Sequence, residues 1–360
     1  MKVIAFHLPQ YHPTPENDAW WGPGFTEWRN VVKARSLYPG HRQPNLPGEL
    51  SFYDLRLEET QDSQAELARQ AGVSAFCYYH YWFSGRLLLN KPAELMLNRQ
   101  TPQFPYCMCW ANHSWTAHWA GRSNDVLIEQ CYPGIDDERK HYEYLRKFFS
   151  DPRYLRLVGR PVFLVFRPGN IPAIGAAVER LKVWSTHDGI GEPFVIGLTD
   201  DATLLSQGID AIAPHALNTA LDNYLKGGKR LIQIMQHRVL RYPRWVVNYQ
   251  KLQPYFENAN CDGITRLPTA IPNWDNTPRI GRRGLVLHGS SPTRFADHLR
   301  RSTAGFSHEH SYDEQILLIK SWNEWAEGNY LEPDIAWGRG WLASLAQFVK
   351  EENNVSETAN

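Results

Sequence analysis

The segment SWNEWAEGNY, residues 321–330, sets Glu324 and Glu327 three positions apart between two tryptophans, directly after the apolar run QILLIK at 315–320. If the chain turns helically after that run, the i,i+3 relation brings both carboxylates onto one face. Two carboxylates facing one cavity cannot both ionise cheaply. One pKa rises and that group can serve as an acid, while the other stays a base. Cleavage of a glycosidic bond uses that division of labour. Trp322 and Trp325 would lower the local polarity and offer faces for a sugar ring. The plainer reading makes Glu327, followed by Gly328, a surface loop residue. Glu332, eight positions after Glu324, reads as a supporting or structural acid.

Other stretches gather similar chemistry. HLPQYHP (7–13) supplies His7, Gln10, Tyr11 and His12, and ENDAWWGPGFTEWRNV (16–31) supplies Trp20, Trp21, Glu27 and Trp28. YYHYWF (78–83) carries Tyr79, His80 and Trp82, and CWANHSW (109–115) carries Trp110, Asn112, His113 and Trp115. NWDNTPR (273–279) adds Trp274, Asp275 and Asn276. Each has a bland alternative: a hydrogen-bonded structural histidine, a roofing tryptophan, a turn-forming Asp275, or a Glu27 paired with Arg29 or Lys33. Their coincidence is what the bland readings handle poorly. Tryptophan among Asn, His and Glu suits a platform for a sugar. Histidines 7, 12, 80 and 113 could converge on a metal, but no HxH or HExxH spacing supports one, so no metal and no cofactor is expected. Lys320 is the one lysine at a strand end, a thin basis for Schiff-base chemistry.

These residues need a scaffold. Short apolar runs bounded by Gly, Pro or polar residues occur at 2–6, 73–79, 105–110, 161–166, 193–198, 209–214, 266–271 and 315–320, as strands buried on both faces should. Helical spacing follows at 63–72, 137–149, 175–184, 291–301 and 341–352, with Ser291 and Pro292 placed as N-cap and first helical residue. The alternation predicts an α/β fold, a (β/α)8 TIM-like barrel with long βα loops, as a single domain over 1–352 with a C-terminal tail at 353–360. The seventh strand is the weakest, because Pro268 and Pro272 interrupt it. In such a barrel the site lies at the C-terminal strand ends, where the aromatic and polar clusters fall.

Composition narrows the partners. The chain has 38 basic and 38 acidic residues in 360, which gives no phosphate-tracking surface and argues against nucleic acid. The five cysteines lack CxxC spacing, and three sit in apolar runs; reduced thiols and a cytoplasmic home are expected. The apolar stretch at Val3 to Phe6 is too short for an export signal, and no run reaches a membrane span. KGGKR (226–230) lacks P-loop spacing and reads as a turn, and there is no Asp-x-Asp for a metal-bound nucleotide sugar.

WNEWAEG and LEPD, with HLPQYHP, WWGPGFTEW, CYYHYWF, CWAN and PNWDNTPR, resemble the WbsX-type proteins of bacterial polysaccharide (O-antigen and capsule) gene clusters. Those are similar to glycoside hydrolase family 99, and the resemblance covers residue 3 to about 340. It implies a retaining glycoside hydrolase for an α-linked, mannose- or rhamnose-like oligosaccharide or polysaccharide. The first Glu of NExxE, here Glu324, takes the proton of the sugar 2-hydroxyl, which attacks the anomeric carbon to give a 1,2-anhydro sugar. The second, Glu327, protonates the leaving oxygen and then activates water. Many relatives are named glycosyltransferases, so transfer in polysaccharide assembly is the alternative. Trp20, Trp21, Tyr79 and Trp115 would stack on sugar; His12, His80, Asn112, Asn323 and Asp275 would contact hydroxyls; Trp110, His113 and Trp274 complete the binding set. Relatives usually read CWANENW, so His113 and Ser114 stand where Glu and Asn are usual, which changes a sugar contact or a charge.

Overall fold

The computed structural model describes residues 1–99, 101–117, 122–214, 217–255, 261–306 and 314–359. Eight strands run parallel: β1 Lys2–His7, β2 Ala75–Phe83, β3 Tyr106–Trp110, β4 Arg160–Val165, β5 Phe194–Leu198, β6 Ala211–Ala213, β7 Thr269–Ala270 and β8 Ile316–Ile319. Their order is β6-β5-β4-β3-β2-β1-β8-β7. A parallel bridge from Ile212 to Arg266, with Ile212 N donating to Thr265 O (2.8 Å) and Leu267 N to Ile212 O (2.8 Å), brings β6 to the chain entering β7 and all but closes the barrel. The expected (β/α)8 single domain is therefore the fold. Proline has no N–H for a ladder, and Pro268 and Pro272 flank a seventh strand of only two residues.

Helices Glu58–Gln70, Ile135–Phe149, Ile174–His187 and Pro292–Ser302 lie at the segments whose spacing predicted them. Ser291 caps the last of these, its hydroxyl accepting from Arg294 N at 3.3 Å. The final helix runs Gly340–Ala359, through the residues expected as a tail. KGGKR is a turn only as far as Gly227, whose φ of 72° no side chain adopts easily; Gly228–Val239 is a helix. Strand β2 is longer than its apolar run predicts. It continues to Phe83, so YYHYWF lies within the strand and its side chains alternate between the inside of the barrel and the helix layer.

Candidate active site

The two glutamates sit on a tight device just past β8. Asn323–Glu324 pairs antiparallel with Asn329–Tyr330. Between them Trp325–Glu327 forms one 3-10 turn, closed by Gly328 at φ 60°. A 3-10 turn eclipses residues three apart, so Glu324 and Glu327 face the same way. Gly328 is required twice: its φ is left-handed, and a Cβ there would come within 3.0 Å of the Asp275 backbone. Ser321 Oγ accepts from Glu324 N (2.9 Å), and the Asn323 side chain accepts from Leu8 N (2.7 Å) and donates to Leu8 O (3.1 Å). Tyr11 Oη donates to Asn323 O (2.7 Å) and accepts from Trp325 N (3.0 Å). The turn is thereby fixed to the segment after β1.

Arg279, on the short helix Thr277–Ile280, organises the charge. Its guanidinium is buried, bonds Glu327 through Nη1, lies 3.7 Å from Glu324, and donates through Nε to Glu27 at 3.1 Å. Glu27 thus has a distant arginine for partner, in place of Arg29 or Lys33. Asp275 holds the base of that helix: Oδ2 accepts from His41 (2.7 Å) and Gln43 (2.7 Å), Oδ1 from Thr277 Oγ1 (2.6 Å), and its N–H donates to Glu327 O at 2.6 Å. Burial, and then the charge of Glu327, push Glu324 well above the ordinary carboxylate range. Burial acts on Glu327 too, but the Arg279 guanidinium and the hydrogen bond from Glu324 hold it below its ordinary value. The pair therefore shares one proton, held by Glu324, with the charge on Glu327. Lys320 faces both, its ammonium disfavoured by burial and supported by their charge.

A cavity of about 320 Å³ opens over this pair, at the C-terminal ends of the strands. Of the residues singled out in the sequence, Gln10, Trp21, Tyr79, His113, Ser114, Trp115, Trp274, Lys320, Glu324 and Glu327 line it. Trp20 stands just behind, its ring edge-on to Trp115 at 5.8 Å. His113 stacks on Phe166 at 5.2 Å, and burial pushes its pKa down to about 4.

The others are placed elsewhere. His80 points to the helix layer, with Nε2 2.9 Å from His141 Nε2, and burial lowers it to about 3. Trp110 also points outward, into a separate apolar cavity beside His141. Asn112 is a latch, bonded to Arg167 N (2.8 Å) and O (2.8 Å). Asn323 and Asp275 are used up by the bonds above. His12 is buried away from the cavity lining, its pKa pushed down to about 4. Trp322 and Trp325 are buried as well; both indoles donate to Glu332, at 2.8 and 2.6 Å, and Tyr53 and Gln64 donate to the same carboxylate. Sequence reasoning placed Tyr81 at a strand end but left it out of the binding set, and it missed Phe166 and above all Arg279 as cavity residues. Arg279 closes the NWDNTPR stretch, and an arginine in a buried-looking segment was the available signal. Among the described residues no group of three or more His, Cys, Asp or Glu could hold a metal ion.

A model of the family "Glycosyltransferase WbsX" matches residues 3–345. The chain belongs to the WbsX family. Two strains of Xanthomonas campestris pv. campestris carry WxcX, described as an uncharacterised protein, which is 36% identical over 357 residues, 98% of this chain and 50% of WxcX. The chain thus spans half the length of these curated relatives. Among solved structures, the family 99 endo-α-mannosidase of Bacteroides thetaiotaomicron superposes with a TM-score of 0.58 at 15% identity, covering 100% of this chain and 99% of that one. A glycoside hydrolase-like protein gives 0.58 at 14% identity, over 96% and 93% of the two chains. These likenesses place this WbsX member in the fold of family 99, within a carbohydrate-active family.

Proposed function

We propose that the chain is a retaining glycoside hydrolase for an α-linked, mannose- or rhamnose-like glycan. The observation that carries this reading is the carboxyl pair, Glu324 and Glu327, set on one side of a single turn at the floor of an aromatic-walled cavity. In the proposed route Glu324 takes the 2-hydroxyl proton as O2 bonds to the anomeric carbon. The bond from that carbon to the leaving oxygen breaks, and Glu327 gives its proton to that oxygen. Water, deprotonated by Glu327, then opens the 1,2-anhydro sugar from the face first occupied by the leaving group, and Glu324 returns a proton to O2. Attack by O2 needs it opposite the leaving group, which the α-manno and α-rhamno configurations provide and α-gluco does not. The total proton count fits. Its position in this structure does not, because Arg279 favours the charge on Glu327. Substrate must therefore draw the proton across the pair, and Arg279 toward Glu324 and Glu27.

Glycosyl transfer is the second reading, favoured by the family's description and by relatives twice as long. A diphosphate donor needs cations, and among the described residues the two that line the cavity, Arg279 and Lys320, both face the glutamates. The deciding experiment is calorimetry with nucleoside diphosphates and their sugars, beside α-linked mannose and rhamnose oligosaccharides incubated for new reducing ends. Oligosaccharide cleavage that Glu327→Gln abolishes supports hydrolysis. Tight, sugar-dependent binding of one nucleotide, without cleavage, replaces it with transfer.

A further inference from the structure

The helix Gly228–Val239 is built inside out. A surface helix normally turns its apolar stripe to the protein and its polar face to water. Here Leu231, Ile232, Met235 and Val239, which share one face by their spacing, are 65%, 56%, 63% and 73% exposed. The polar side faces the protein. Gln233 donates to Val246 O (2.9 Å) and accepts from Val246 N (2.8 Å), covering the edge of the strand Trp245–Asn248, and the His237 ring bonds Tyr242 O at 2.8 Å. No residue of this helix is buried.

The charge around that stripe is one-sided. Residues 223–255 contain Lys226, Lys229, Arg230, Arg238, Arg241, Arg244 and Lys251 and not a single Asp or Glu, in a chain whose 38 basic and 38 acidic residues balance overall. Asp222, just before, pairs with Arg230 at 2.7 Å. Arg238 and Arg241 are exposed at the C-terminal end of the stripe.

We propose that the exposed face of Gly228–Val239 docks on an anionic phospholipid bilayer, with its apolar stripe among the acyl chains and its basic flank on the headgroups. Apolar side chains set flush among cations suit an interfacial site, where area burial and headgroup attraction add. A second copy of the chain is a poorer occupant, because a two-fold pairing would lay this basic face against itself. The helix is too short and too polar to cross the bilayer, and no described helix is long and apolar enough to do so. The inference is independent of the reaction proposed above.

The test is co-flotation of the chain with vesicles of phosphatidylcholine alone and of phosphatidylcholine mixed equally with phosphatidylglycerol, with light scattering alongside. The chain is expected to float with the mixed vesicles only, and to be released by salt. Neutralising Arg238 and Arg241 together (to Gln) should lower partitioning roughly twenty-fivefold, at about fivefold per basic residue. Leu231→Ser with Met235→Ser should abolish it while leaving the melting temperature unchanged, since both side chains are exposed. Absence of flotation with the mixed vesicles, equal flotation with both kinds, or a dimer that Met235→Arg dissociates would each overturn the proposal.

Discussion

The inner and outer faces of the barrel wall both carry aromatic side chains, and the two do opposite work. On β2, Tyr79 and Tyr81 look inward: Tyr79 stacks on Phe6 at 5.4 Å, Tyr81 meets Trp115 at 5.0 Å, and both line the cavity. Their neighbours Tyr78, His80 and Trp82 look outward. His80 stacks on Tyr144 at 5.3 Å, and Trp82 Nε1 donates to Asp137 at 3.1 Å. The inner face keeps charge and polar groups available over an open cavity. The outer face closes its polar groups on the helix Ile135–Phe149 and makes packing of them. Chemistry and stability are divided by strand parity, so substitutions one residue apart should fall into different classes.

The largest effect should come from the inner face. Glu327→Gln removes the proposed proton donor and should lower turnover about a thousandfold, with a small change in melting temperature. Activity on an α-linked oligosaccharide and a thermal melt check both halves. Arg279→Met should cost about 3 kcal/mol of stability, because it leaves buried carboxylates without their cation. It should also raise the pKa of Glu327, so the alkaline limb of the pH–rate profile, where a general acid loses its proton, moves upward; a profile unchanged in the variant would break the assigned role.

The outer face predicts the reverse. Burial depresses His7 to about 4 and His80 to about 3, so both stay neutral in the fold and ionise only on unfolding below their ordinary value of 6.5. Their contribution is present above about pH 6.5 and is lost as pH falls toward the folded values. By about pH 5 the loss is about 2 kcal/mol for each ring. Urea unfolding at pH 7 and pH 5 measures it, and His80→Gln should flatten the slope. The same variant should leave kcat/KM unchanged at pH 7 and lower stability by about 1 kcal/mol. The smallest contrast is Tyr81→Phe against Tyr78→Phe: only the first should alter KM, since only Tyr81 lines the cavity.

The strands were legible because parallel strands buried on both faces are written as unbroken apolar runs. That same property hid their parity. A run such as YYHYWF has no polar–apolar alternation to say which side chains face inward, so Tyr79 and His80 looked like equal candidates. Trp110, Asn323 and Asp275 belong to the same class of error: residues of the right type, beside the site in sequence, but aimed at a helix or locked into the backbone. The glutamate pair escaped it, because a spacing of three over one turn is a local property.

Local chemistry was settled by the sequence itself: eight apolar runs, Ser291 as a cap, Gly328 after Glu327, and two acids on one side of a turn, each decided by neighbours within a few residues. Long-range pairing was decided only by the tertiary structure. Arg279 reaches Glu327 across 48 residues and Glu27 across 252, and that one guanidinium decides which carboxyl of the pair carries the charge. Electrostatic energy depends on distance in space and on burial, and neither is written in the order of residues along a chain.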